Sequence, residues 1–201
     1  MTFKNLRYGL SSSLVLVASL FSVPSYAATD SIGLTVITTV EMGTCTATLM
    51  DGNNKISTVN FGDVYISEVN AKTKIKTFKL QFKDCAGIPG KKAYITLTKV
   101  GTCEGNANNG DGFANASTST EKANAVVVEV WGAITPDRAD KNKQFSCATP
   151  QAKEKSIVGA TGTNVVDFDM SAVLVVDKDK TVNNVTAGDF FAPATFTITY
   201  N

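Results

Sequence analysis

The sequence predicts an all-β protein, a sandwich of about seven or eight strands joined by tight turns. Three observations carry that expectation. After residue 27 no segment of useful length repeats its apolar residues with the 3.6-residue period of a helix. Period-two alternation recurs instead, in Phe78/Leu80/Phe82, from Val166 to Val176, and from Ala192 to Tyr200. Between these runs lie turn signals such as Asp51-Gly52-Asn53-Asn54, Ala86-Gly87-Ile88-Pro89-Gly90 and Asp177-Lys178-Asp179-Lys180.

The chain opens on a different kind of segment. Lys4 and Arg7 precede a short apolar run, Leu14 to Phe21, and Ser25-Tyr26-Ala27 places small residues where a signal peptidase reads. Residues 1–27 are therefore expected to be a signal peptide. The run is too short, and too interrupted by Ser and Pro24, to span a bilayer, and no later segment reaches that length. Cleavage after Ala27 would leave 174 residues, enough for one domain with a sizeable core. Loss of Lys4 and Arg7 would take the formal charge from +1 to −1, which offers no footprint for nucleic acid or an anionic membrane.

Residues 28–43 form a strand by pattern. Ile32, Leu34, Val36 and Val40 fall on one parity, with Thr38 the interruption. By itself such a segment would be the first strand of its own domain. The body begins at Gly43. Cys45, Ala47 and Leu49 alternate with threonines, and after the Asp51 turn Val59-Asn60-Phe61-Gly62-Asp63-Val64 carries a shorter apolar piece. Phe78, Leu80 and Phe82 then alternate with Lys79, Gln81 and Lys83, whose polar side chains keep one face of that strand solvated. A further strand runs from Ala93 to Thr98.

Residues 101–122 change character. Gly101, Gly105, Gly110 and Gly112 lie among Asn106, Asn108, Asn109 and Asn115, followed by a Ser/Thr run, which is the composition of a loop with little to bury. A calcium loop is disfavoured by register: with Asn106 at the first position, the twelfth is Ser117 where a Glu is needed. Ala125 to Trp131 is the most β-prone stretch and reads as a central strand, with Trp131 a core or sheet-end residue rather than a platform for a sugar. Residues 136–155 return to charged loop around Cys147. The long strand from Val166 to Val176 follows, then Val182 and Val185 lead to Gly188.

The chain has no His, which removes Ser-His-Asp and Cys-His nucleophile systems and His-based zinc sites. Its acidic residues cluster in turns such as Asp137/Asp140 and Asp177/Asp179, so no enzymatic activity and no cofactor are expected. Cys45, Cys85, Cys103 and Cys147 lack the C-x-x-C spacing of a metal site. In an exported chain they read as two disulfides, and spacing leaves all three pairings open.

The ending is the most specific stretch. Ala192, Ala194, Phe196, Ile198 and Tyr200 alternate with Pro193 and threonines up to the last residue, Asn201. Chain ends usually fray, so a β-branched and aromatic ending must be held in a sheet or presented to a partner. Pro193 cannot donate to a ladder, which favours an edge strand or the opening of a strand.

Together these features resemble a pilin-domain subunit of the chaperone–usher fimbriae, the family that includes type 1 and P pili. The residues that carry the resemblance are Gly188, fourteenth from the C-terminus, with the alternating apolar residues after it and the penultimate Tyr200. Cys45 and Cys85, forty apart, with Val59-Asn60-Phe61-Gly62 between them, add to it, as does the alternating extension ahead of the first Cys. The resemblance implies an incomplete immunoglobulin-like sandwich (residues 44–201) that lacks its last strand, preceded by an N-terminal donor-strand extension (residues 28–43). It implies that Ile32, Leu34, Val36, Thr38 and Val40 enter a neighbouring subunit. Gly188, Ala192, Ala194, Phe196, Ile198 and Tyr200 would line the acceptor groove that a periplasmic chaperone fills until the next subunit replaces it. The partners implied are that chaperone, an outer-membrane usher, neighbouring subunits in a linear polymer and a host receptor, with export through the periplasm to a surface fimbria that supports adhesion. A minor subunit with its own receptor-binding surface is the alternative reading. From the family, Cys45 is expected to pair with Cys85, leaving Cys103 with Cys147. Two departures stand out: Thr38 occupies an inward donor position, seven before the first Cys, where the family commonly has Gly, and Cys103/Cys147 is an additional pair.

Overall fold

A computed structural model of the chain describes Thr38 and residues 43–201. The expected signal peptide and the donor residues Ile32, Leu34, Val36 and Val40 lie outside the described residues; Thr38 is exposed. From Gly43 onward the chain is all-β, with ten strands and one short α-helix: β1 (Thr44–Asp51), β2 (Asn54–Lys55), α1 (Ile66–Ala71), β3 (Ile75–Ala86), β4 (Lys92–Lys99), β5 (Phe113–Ala114), β6 (Val126–Trp131), β7 (Gln144–Phe145), β8 (Lys153–Ser156), β9 (Val166–Val176) and β10 (Ala194–Tyr200). They form two antiparallel sheets. The larger has the order β2-β1-β3-β9-β6-β5, with β7 also on β6, and the smaller has the order β10-β4-β8.

Alternation in the sequence becomes two-sidedness in the sheets. Phe78, Leu80 and Phe82 of β3 and Phe168, Met170, Ala172 and Leu174 of β9 turn inward, where Ala93, Ile95 and Leu97 of β4 meet them from the other sheet. Each such side chain withdrawn from water contributes about 1.5–3 kcal/mol, which is the main reason the sheets stack. The two middle strands β6 and β9 are buried on their other face too: Val127, Trp131, Val173 and Val175 form a second cluster with Ala114. Trp131 belongs to this core, fully buried, with its indole N–H donating to Glu129 at 3.2 Å.

The structure departs from the sequence expectations in three places. Residues 136–155, expected as charged loop, contain the buried β7 on β6 and most of β8, which lies on the outer edge of β4. Lys-Glu-Lys-Ser has no apolar alternation because its half-buried face is made by Lys153 and Lys155, with Glu154 and Ser156 exposed, and charge on such an edge discourages further strand pairing. Ile66–Ala71 forms a helix too short to show a period, closed by Lys72 in the left-handed region at φ 57°. Residues 101–122 are indeed mostly without strand, yet they bury Cys103, Phe113, Gly110 and Gly112.

Candidate functional site

The last strand is half paired. On its inner side β10 bonds β4: Asn201 and Lys92 exchange both backbone hydrogen bonds at 3.0 Å, and the Val100 N–H donates to the Pro193 carbonyl at 3.2 Å. In an antiparallel ladder bonding alternates by residue. Pro193, Thr195, Thr197, Thr199 and Asn201 therefore face β4, while Ala194, Phe196, Ile198 and Tyr200 turn their N–H and C=O groups to an edge that no described strand occupies. The side chains of Phe196, Ile198 and Tyr200 are half-buried against the core and the threonines between them are exposed.

Beside that edge lies an apolar cavity of about 870 Å³. Its floor is the sandwich interior, including Phe78, Leu97, Val126, Val128 and Leu174. The cavity is lined further by Ala192, Ala194 and Phe196 with the segment from Val185, and by residues 57–64, including Val59, Phe61 and Val64. Residues 57–64 make no backbone-to-backbone hydrogen bond among the described residues. An apolar hollow is thus lined by two segments with unpaired backbone, an arrangement that can take up an extended chain by hydrogen bonds at the edge and side chains below.

The residues expected at this site are placed unequally. Gly188, Ala192, Ala194 and Phe196 line the cavity, whereas Ile198 and Tyr200 continue the same edge beyond it. Phe196 meets Phe145 edge-on with ring centroids 6.3 Å apart. Tyr200 meets Phe82 in the same way at 6.5 Å, and its hydroxyl donates to the Cys45 carbonyl at 3.3 Å. Partial burial raises the Tyr200 phenol above its ordinary pKa, so this donor keeps its proton.

Gly188 acts through its backbone. At φ +146° a side chain would be strained, and a Cβ there would lie 1.9 Å from the Glu121 carbonyl oxygen. The bare α-carbon lets the chain press against residues 121–123, where Asp189 donates to Glu121 (3.0 Å) and accepts from Ala123 (2.9 Å).

Both disulfides lie outside the cavity lining. Cys45 is bonded to Cys85, tying β1 to β3, and Cys103 to Cys147. Sequence reasoning missed what orders the second loop, the Glu104 carboxylate. It accepts from the N–H groups of Asp111 (2.9 Å), Gly112 (3.0 Å) and Lys178 (3.3 Å). Asp177 and Asp179 in turn accept from Gly105 and Asn106. Glu104, Asp177 and Asp179 are thereby occupied with backbone donors, while Asp111 pairs with Lys141 at 3.1 Å.

The sequence matches the family of fimbrial proteins over residues 32–201. The chain belongs to that family. It is 71% identical over 202 residues, covering 100% of both chains, to a fimbrial-like protein, YadL, of Escherichia coli (strain K12). Among solved structures, this fimbrial protein is similar to the P pilus rod subunit PapA, with a TM-score of 0.48 at 16% identity over 73% of this chain and 93% of that one. It is also similar to the CupB6 tip adhesin from Pseudomonas aeruginosa, with a TM-score of 0.45 at 16% identity over 68% of this chain and 33% of that one. It is a fimbrial subunit of the pilus family, a structural protein rather than an enzyme, and its place is the surface fimbria.

Proposed function

We propose that this fimbrial subunit polymerises by donor-strand exchange. A periplasmic chaperone holds the cavity beside β10 during export, an outer-membrane usher receives the complex, and residues 32–40 of the next subunit replace the chaperone. The fibre so built supports cell adhesion. The observation that carries this reading is the free edge of Ala194, Phe196, Ile198 and Tyr200 beside an apolar cavity of about 870 Å³. Ile32, Leu34, Val36 and Val40 have the spacing to place side chains there on every second residue. Their burial would contribute about 6–12 kcal/mol before ordering costs, at roughly 1.5–3 kcal/mol each. That is comparable with the stability of a whole domain. Thr38 brings a hydroxyl into the same row, so the partner that receives it must offer room and a hydrogen-bonding group at that position.

The experiment is in cells. Leu34→Asp and Val36→Asp change only the donor segment, and fibres are counted by electron microscopy with an antibody to this subunit. The expected result is normal export of the subunit with fibres lost or shortened at its position. Undiminished fibres in both variants would refute the donor role.

A further inference from the structure

The unpaired edge does not begin at β10. Upstream of Pro193, where β4 has ended, the side chain of Asn115 takes over. Its Nδ2 donates to the carbonyls of Asp189 (2.7 Å) and Ala123 (2.8 Å), and its Oδ1 accepts from the N–H groups of Phe191 (3.0 Å) and Ser117 (3.0 Å). The Phe191 carbonyl accepts from Ala116 at 2.7 Å, and Asp189 is joined to Glu121 and Ala123 as described. A side-chain amide has two donors and one acceptor oxygen with two lone pairs, so all four of its places are used. Asp189 and Phe191 are thus bonded on the loop side, in the same alternation that Pro193 to Asn201 follow against β4. Phe190 and Ala192, between them, make no backbone hydrogen bond among the described residues, and both are half-buried against the core.

From this we infer that Asn115 is a positioning residue for the acceptor edge: it extends the row of free backbone groups from Ala194, Phe196, Ile198 and Tyr200 to include Phe190 and Ala192. This inference rests on the donor-strand reading. Five alternate donor positions, Ile32 to Val40, exceed the four that β10 supplies, and the cavity is lined by Phe190, Ala192, Ala194 and Phe196 but not by Ile198 or Tyr200, so a donor seated over the cavity reaches the part of the edge that Asn115 holds. Gly188 allows the close approach that puts Asp189 within reach of the loop.

The test uses the full chain with Leu34→Asp and Val36→Asp, so that copies do not fill one another, alone or combined with Asn115→Ala or Asn115→Asp. Each chain is titrated with labelled peptides covering residues 31–42, the same peptide without its residues up to Ile32, and the same peptide ending before Val40. The expected result is that the whole peptide binds the Asn115 variants about tenfold or more weakly, the loss of one buried apolar side chain's contribution. One of the two shortened peptides should bind with and without Asn115 equally, because it no longer reaches the braced part. Amide hydrogen exchange at Phe191 should accelerate in Asn115→Ala, which removes its acceptor, whereas Asn115→Asp keeps that acceptor and loses the donor to Asp189 and Ala123. If the whole peptide binds all chains alike, or all three peptides weaken by the same factor, the positioning role is wrong while strand addition stands. If no peptide binds even with Asn115 in place, the donor-strand reading falls and this inference with it.

Discussion

The Val100 N–H donates to the Pro193 carbonyl at 3.2 Å, so the donor that proline lacks is missing from the β4 side of the last strand and not from its open edge. Proline is therefore placed where it costs a ladder bond at the strand's opening and leaves the edge intact. Pro193→Ala should restore that bond to β4, changing stability by no more than about 1 kcal/mol, and should leave binding of a donor peptide unaltered. Isothermal titration with the peptide of residues 31–42 checks this; a large loss of affinity would show that the proline belongs to the binding edge.

Gly188→Ala places a methyl group 1.9 Å from the Glu121 oxygen on a backbone at φ +146°. The chain must move away from residues 121–123, at an expected cost of about 2–4 kcal/mol. Thermal unfolding measures it, and an unchanged midpoint would contradict the close approach described for this position.

Charging Phe196 or Ile198 attacks the row at its centre. Phe196→Asp and Ile198→Asp should impair capture by the chaperone and fibre assembly before they affect any ligand, because both side chains are half-buried on the edge strand itself. Pull-down from periplasmic extracts with the chaperone as readout checks this; wild-type capture by both variants would contradict it.

Asp167 of β9 lies beside Lys79 (2.6 Å) and Gln81 (3.0 Å) of β3. Partial burial opposes its ionisation, but the hydrogen bonds from Lys79 and Gln81 and the Lys79 charge outweigh it and hold the carboxyl below its ordinary pKa. In the unfolded chain that value is near 3.9. The folded state binds fewer protons there, so the stabilisation is complete above about pH 4 and is lost as pH falls through the folded value. The pair is partly exposed, which limits it to at most about 1 kcal/mol. Asp167→Asn should make the acid branch of the stability profile shallower and leave its shape above pH 6 unchanged, as chemical denaturation at a series of pH values would show.

The sandwich was legible where one face of a strand is dry. Phe78/Leu80/Phe82 and Phe196/Ile198/Tyr200 each announce a half-buried strand by period two. β8 was not, since Lys153 to Ser156 is an edge strand whose half-buried positions are held by lysines rather than by apolar residues. The part of the cavity lining from Gly188 to Phe196 could be read from the sequence; the role of residues 57–64 could not, because what marks it is unpaired backbone, which side-chain pattern does not record. The loop of residues 101–122 looked like polar turn composition. Its order comes from Glu104 and Asn115, which bind backbone groups both within the loop and on the distant residues Lys178, Asp189 and Phe191, pairings that composition does not record.

The central claim is that this sandwich is unfinished beside β10, and the most direct measurement is thermal unfolding of residues 44–201 alone against the same residues with 31–42 joined after Asn201 by a flexible linker. The expected result is a marginal or self-associating protein without the added strand, and a monomer melting tens of degrees higher with it, given about 6–12 kcal/mol of apolar burial. A bare domain that is monomeric and melts at the same temperature as the complemented one would contradict the claim.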